Sequence, residues 1–405
     1  MSTPVSPPAA PAALRQPRTP RLIWAYGLLS ACLAAGYGVL FTVVGDFREA
    51  YGISESALGW IIGIGFIAGF VSQVLIAPIG DRGHARKIVM IGVAVNAVGL
   101  VMMGFGNDVV TIMAGRIVSG LAIGAAEPSI RRIVVASAPD NVGRNLGLLL
   151  SAGVFGFAFG PAVSAVLVGP FGLAAPFLFI AAASVVAVAL TFSVPVEEST
   201  GGDRPPLLAV DLLRIRPLMG AVVLGGAVYF MIGAFDALWD IVHVDLGTSV
   251  WLANLGITLF AIPLVILGPF GGRLAQDVGP FRFASLGLLA AAVFMFTYGL
   301  LPSGGWIFTV SLAHAVTDGL TIASTGVAVA VTVPTDRQAG AQGLLGASQA
   351  LAAGVAAVMT GAIYQNFGRQ PAYTVAAVVM VVLVVIGMGL AAPAWRGHFA
   401  RRQPT

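Results

Sequence analysis

The chain has 405 residues, is 58% hydrophobic and only 9% charged, and carries a formal net charge of +4 and one cysteine. A mean hydropathy of +0.94 excludes an ordinary soluble protein, because too little polar surface exists to face water, and the lone Cys32 excludes an internal disulfide framework. The basic excess points to no nucleic-acid partner, because its arginines are dispersed along the chain.

Residues 1–21, rich in Pro and Ala, read as a disordered N-terminal tail. Beyond them, apolar runs of about 20 residues predict membrane-spanning helices. The alternating strands of a membrane barrel are absent. The runs predict twelve spans at roughly 22–45, 56–79, 88–106, 109–136, 146–169, 173–194, 217–239, 251–271, 283–301, 306–332, 341–364 and 372–393. The expected fold is an all-α integral membrane protein.

The first span carries Tyr37 and Phe41, candidate aromatic walls for an apolar or cationic solute. Its Leu29-Ser30-Ala31-Cys32 resembles a lipoprotein cleavage box, but the apolar run continues past Cys32, so the match reads as coincidence. Between spans two and three lies GDRGHARK (80–87), which packs Asp81, Arg82, Arg86 and Lys87, the only lysine, between two apolar runs.

Span four carries charges where charge is costly. Arg116 and Glu127 are eleven residues apart, so they differ by only about 20° around a helix. Arg131 stands four beyond Glu127, the favourable order for an ion pair. Arg116 has no acid three or four residues away and needs a partner from another span, a substrate or a proton site. Span five presents Gly153, Gly156, Gly160 and Ser164 on one stripe, suited to close helix packing, with Pro161 expected to kink the helix. Residues 195–216 form a hydrophilic linker.

Span seven carries Tyr229 and Asp236 as cavity candidates, Asp240 nearer the interface, and Phe235 and Trp239 as further aromatic candidates. Asp277 and Arg282 follow span eight. Span ten aligns Ser311, His314, Asp318, Thr321 and Thr325 at three- and four-residue steps, a polar face that must turn to a cavity or another helix. A carboxyl as deep as Asp318 is a candidate proton carrier, as is His314 beside it; an Asp–His pair that only locks helices together is the competing reading. Residues 394–405 form a C-terminal tail.

An even number of spans puts both termini on one side, and that side carries 18 basic residues against two, Arg48 and Arg369, on the other. The positive-inside rule makes the 18-residue side cytoplasmic. Residues also recur at one offset: Asp81 with Asp277, Gly83 with Gly279, Arg86 with Arg282 and Asp140 with Asp336 lie 196 apart, while Gly38 with Gly233 and Gly52 with Gly247 lie 195 apart. The repeats predict two parallel six-span bundles, 22–194 and 217–393.

GDRGHARK resembles the G-x-x-x-D-R-x-G-R-[RK]-[RK] loop of the major facilitator superfamily, with Ala77, His84 and Ala85 departing from the pattern. Arg116-x-x-Ser119-Gly120 resembles its R-x-x-Q-G motif, and Gly156-x-x-x-Gly160-Pro161 resembles the G-x-x-x-G-P motif of its twelve-span drug:proton antiporter branch. The resemblance implies an alternating-access transporter in the inner (plasma) membrane, most simply a proton-coupled exporter of small apolar or drug-like molecules. It implies a cytoplasmic gate at Asp81, Arg82, Arg86 and Lys87, with a second copy at Asp277 and Arg282. It also implies that Arg116 bears on proton movement and that Gly156, Gly160 and Pro161 seal an antiporter. Uptake or facilitated passage of a sugar, metabolite or lipid is the alternative, and a non-transporting sensor of the same fold a second one. The expected partners are a small molecule, protons and the lipid bilayer, with the chain acting as a monomer. No enzyme motif, metal ligand set or cofactor loop occurs, so no cofactor is expected and the chain does not read as an enzyme.

Overall fold

The computed structural model describes residues 19–196, 198 and 205–400, so most of the predicted N-terminal tail, the last five residues of the C-terminal one and the centre of the linker lie outside the described residues. Thirteen α-helices occur among them: α1 (Thr19–Tyr51), α2 (Glu55–Leu75), α3 (Ala85–Phe105), α4 (Val109–Ser137), α5 (Val142–Phe171), α6 (Ala174–Thr191), α7 (Arg216–Asp245), α8 (Val250–Val278), α9 (Pro280–Leu300), α10 (Gly304–Thr321), α11 (Ala323–Ala330), α12 (Gln338–Phe367) and α13 (Arg369–Ala400). No strand is present among the described residues. They make 12 segments long and apolar enough to cross a membrane, α10 and α11 together forming one.

Several helix ends differ from the reading of the sequence: α7, α8 and α13 run six or seven residues past the expected ends, to Asp245, Val278 and Ala400, the last into the expected C-terminal tail. Helix α1 runs on to Tyr51. Helix α2 ends at Leu75, and Ala77–Arg82 forms a 3-10 turn opened by Pro78. The tenth span is interrupted at Ile322, where the Thr321 hydroxyl bonds back to the Thr317 carbonyl (2.8 Å), a contact that bends helices.

The duplication is visible in the backbone. Among the described residues six glycines have positive φ, Gly52, Gly83, Gly172, Gly247, Gly279 and Gly368, and they fall into three pairs at the repeat offset. Close approaches repeat too. A Cβ on Gly38 of α1 would lie 2.1 Å from the Phe157 carbonyl of α5, and one on Gly233 of α7 would lie 2.3 Å from the Ala353 carbonyl of α12. The first helix of each half therefore meets its fifth span through the same glycine contact. Each half has its own core: Tyr26, Leu33, Val89 and Ile130 in the first, Leu224, Trp239, Tyr298 and Tyr373 in the second.

The halves meet along two seams, α2 with α12 and α5 with α8. At the end bearing the basic loops, hereafter the basic end, a Cβ on Gly143 would lie 2.0 Å from the Gly272 carbonyl and one on Gly147 would lie 2.1 Å from the Gly268 carbonyl. On α12, Gly343 and Gly346 are pressed against Gln73 of α2. Further along the same helices, Gly59 and Gly63 of α2 and Gly354 and Gly361 of α12 have nothing within 4 Å of an added Cβ. The seam is thus tight at the basic end and open toward the other.

Candidate substrate cavity and gate

The tight end is closed by Asp81, whose side chain is buried in the 3-10 turn. One carboxylate oxygen accepts from the Ala339 amide (2.8 Å) and from Arg132 Nε (3.1 Å), and the other accepts from the Gly340 amide (2.8 Å). Ala339 and Gly340 open α12 in the second half, where free amides and the helix dipole favour a negative charge. Gly83, at φ 80°, ends the turn. Two of the three departures from the loop pattern have a place here: His84 is exposed, and Ala85 is fully buried where the longer arginine has no room.

The other basic residues of the loop hold the linker. Arg82 donates twice to the Pro205 carbonyl (2.9 and 2.8 Å). The Arg86 amide donates to Glu198 (2.8 Å), and its guanidinium bonds the Phe192 carbonyl and lies 5.3 Å from that ring. Lys87 is exposed. On the second half, Arg337 clasps Asp211 with two bonds of 2.7 Å.

The second copy of the gate motif is built differently from the expectation. Asp277 is exposed and pairs with Arg273 at 3.8 Å. Its neighbour Gln276 does the capping: its side-chain oxygen accepts from the Gly143 amide at the start of α5 (2.6 Å), and its amide group donates to the Asp140 carbonyl (3.0 Å). Gly143 is the repeat counterpart of Ala339. One gate contact is therefore ionic and the other neutral. Arg282 is half-buried at the start of α9.

Between the halves, rings from three helices meet. Tyr37 of α1 contacts Phe41 (4.8 Å between centroids), Phe66 of α2 (5.4 Å) and Phe157 of α5 (6.1 Å). Helices α2 and α5 flank the first half on opposite seams, so rings from both can meet on Tyr37 only on the face turned to the second half. Across that gap, Tyr37 lies within electrostatic reach of Asp236 and Tyr229 of α7, and Tyr229 within reach of Glu127 and Arg131 of α4. Asp236 is exposed to this space. Glu127 accepts from the Ser30 hydroxyl of α1 (2.7 Å) rather than from Arg131. Arg116 lies behind Tyr37, its guanidinium 4.3 Å from that ring. The cavity thus gathers Tyr37, Phe41, Arg116, Glu127, Tyr229 and Asp236.

Phe235 and Trp239 do not join it. Both are buried in the second half, Phe235 against Phe260 and Tyr298, while the Trp239 indole donates to the Ala253 carbonyl (3.1 Å). The polar face of α10 also turns inward. His314 is fully buried and lies 3.0 Å from the Tyr298 hydroxyl, 3.2 Å from the Met231 sulfur and 3.5 Å from Asp318. Asp318 adjoins a void of about 10 Å³ lined by residues of α7, α9 and α10, room for about one water. Thr321, expected in the cavity, instead faces Gly287 of α9. Asp318 and His314 therefore lie in the second half, and Arg116 and Glu127 in the first. The small stripe of α5 packs on α1: a Cβ on Gly156 would lie 2.1 Å from the Ala31 carbonyl, and one on Gly160 would lie 2.5 Å from the Val39 amide.

Phe66, Phe157, Ser30 and Gln276 were not singled out in the sequence. Only Gln276 carried a signal, its position beside Asp277 in the repeated loop.

Two six-helix halves, closed at one end around a polar and aromatic cavity, define a membrane transporter and not an enzyme. The chain belongs to the Major Facilitator Superfamily, which it matches over residues 26–253 and again over 229–403. An uncharacterized MFS-type transporter of Methanocaldococcus jannaschii is 21% identical over 87% of this chain and 93% of its own. Uncharacterized relatives in Bacillus subtilis and Escherichia coli match over 37% and 41% of their own lengths. Among solved structures, the human organic anion transporter MFSD10 superposes with a TM-score of 0.76 at 15% identity, covering 92% of this chain and 100% of that one. FucP in its outward conformation superposes with a TM-score of 0.74 at 15% identity, covering 91% and 98%. Such identities establish the fold alone.

Proposed function

We propose that this protein is a secondary active transporter that exports small apolar or drug-like molecules in exchange for protons by alternating access. The observation that carries the reading is the cavity: aromatic side chains of α1, α2 and α5 face carboxylates from both halves, above a gate closed at the basic end. On this reading the basic end is cytoplasmic, the membrane is the plasma membrane, and the monomer is the working unit. The cavity is then loaded with protons from outside. Asp318 or Glu127 binds the proton in the outward-facing state and releases it inward after the halves rock and the Asp81 contact parts. Aromatic walls suit an apolar cargo, and buried carboxyls suit a proton as the counter-substrate.

The test is flux of a small lipophilic fluorescent dye in vesicles reconstituted with the full chain, under an imposed pH gradient. Flux that follows the gradient, and loses that dependence in Asp318→Asn or Glu127→Gln, supports the reading. Flux indifferent to the gradient removes proton coupling. Coupled flux retained in both variants removes the assignment of these two carboxyls.

A further inference from the structure

We infer that Arg116 is the seat for a negatively charged group on the transported molecule, so that the cargo class is a small aromatic or apolar monoanion. The inference rests on the reading of the cavity as the substrate site and adds the charge of what it takes.

Three arginines of α4 lie at or near the interface of the halves, and two are accounted for. Arg132, 1% exposed, is bound to Asp81. Arg131 is only half-buried and so keeps contact with solvent. Arg116, 2% exposed, is different. Its Nε has no hydrogen-bond partner, and the one group among the described residues that bears on its charge is the neutral phenol of Tyr37, through its hydroxyl as well as its ring face. A buried guanidinium with no carboxylate is a charge left uncompensated in a low-dielectric site. Ring faces at 4.3 Å (Tyr37) and 5.9 Å (Phe66) offset only part of that cost.

The surroundings say from which side the missing anion comes. Behind the guanidinium is Gly65 of α2, where an added Cβ would lie 2.2 Å from Nε; the arginine fills that glycine's side-chain space and cannot retreat further. In front is Tyr37, half-buried at the cavity surface, so rotation of this ring opens the guanidinium to the cavity. Around it Phe41, Phe66 and Phe157 are each 39% exposed, an apolar surface for the body of the ligand. The planar fork of the guanidinium matches a carboxylate with two parallel bonds. Glu127, on α4 about three turns from Arg116, takes its bond from Ser30 of α1, and Asp236 lies across the gap on α7. Both repel an anion from the other walls and leave the Arg116 corner as its place.

The test uses purified full-length protein and three probes sharing one ring system: 1-naphthylacetate, 1-naphthylacetamide and 1-(1-naphthyl)ethylamine. A ligand that binds the folded state raises the melting temperature in a concentration-dependent way. The expected result is stabilisation by the carboxylate with an apparent affinity at least roughly tenfold tighter than that of the amide, the scale of a charge-assisted bond, and none by the amine. In Arg116→Gln that preference is expected to vanish. In Arg116→Lys, which keeps the charge but not the fork, it is expected to persist in weakened form. Equal binding of amide and carboxylate overturns the inference while leaving an apolar cargo for the exporter. Tighter binding of the amine overturns it in favour of a cation. Binding of none of the three, or discrimination that survives Arg116→Gln, also overturns it. If Arg116→Gln fails to fold, the three-probe comparison on the native chain and on Arg116→Lys decides. The pH-gradient flux is a separate measurement, so loss of proton coupling and loss of anion preference are told apart.

Discussion

Asp81 and Ala339 stand 258 positions apart and share a 2.8 Å hydrogen bond that ties the first half of the protein to the second. The same carboxylate reaches Gly340 and Arg132, so one side chain joins the loop after α2, the start of α12 and the end of α4. The receiving partners in the second half are backbone amides.

Asp81→Ala removes the contacts to Ala339 and Gly340, which join the halves only in the state closed at the basic end. Charge-assisted bonds of this kind are worth about 1.5–3 kcal/mol each, so losing even one lowers the closed population by roughly tenfold to a hundredfold. The measurement is maleimide labelling of Ser151→Cys in a Cys32→Ser background. Ser151 is buried and adjoins Gly268 across the seam, and its labelling rate should rise in Asp81→Ala. An unchanged rate would reduce GDRGHARK to a signal of topology.

Gly143→Ala and Gly147→Ala should open the same end by a steric route. Each new Cβ meets a carbonyl of α8 at about 2 Å, and the facing backbone cannot step aside as a side chain would. Overpacking costs about 1–3 kcal/mol, paid only in the closed state. Gly354→Ala is the control: with open space around it, it should stabilise α12 by about 0.5–1 kcal/mol and leave Ser151→Cys labelling unchanged.

The Arg337–Asp211 clasp makes a prediction about pH. Hydrogen bonding from Arg337 holds the Asp211 carboxyl below the ordinary carboxylate range. A lowered carboxyl contributes fully above its unfolded value of about 3.9 and loses that contribution only as pH falls through the still lower folded value. The clasp should therefore be indifferent to pH between 5 and 8. A spin label at the exposed Leu213 should show one mobility across that range. It should be more mobile in Asp211→Arg and in Arg337→Asp, and regain the native mobility when both are present. A change between pH 5 and 8 would assign the segment's anchoring to other groups.

Asp318→Asn should separate stability from transport. One carboxylate oxygen of Asp318 has no hydrogen-bond partner, so the neutral amide should change the unfolding free energy by roughly 1 kcal/mol or less, read as a small shift in melting temperature. The gradient dependence of flux should be lost. A variant that unfolds outright would make Asp318 a packing residue.

The twelve spans were legible because an apolar run of the right length has one stable place, and the duplication because turn glycines with positive φ tolerate no substitute and so kept their spacing. Which aromatic residues face the cavity was not legible. Helices α1 and α7 are apolar nearly all round, so no polar stripe tells the cavity face from the core face. Tyr37 and Phe41 fell on one side of that ambiguity, Phe235 and Trp239 on the other. Gln276 was missed for a geometric reason: a shift of one residue turns a side chain by about 100°, which hands the capping task from Asp277 to its neighbour. His314 and Asp318 were legible as a pair, but a spacing on one helix cannot say which neighbour the pair faces.

At Gly143 with Gly272, and at Gly147 with Gly268, the closed gate brings main chain against main chain. Freezing a long side chain such as lysine or methionine costs about 1.5–2 kcal/mol, whereas glycine has none to freeze. This part of the seam can form and part with almost no entropy to surrender or recover. The free-energy difference between its two states is then left to a few polar contacts, Asp81 foremost, whose strength sets how readily the halves exchange.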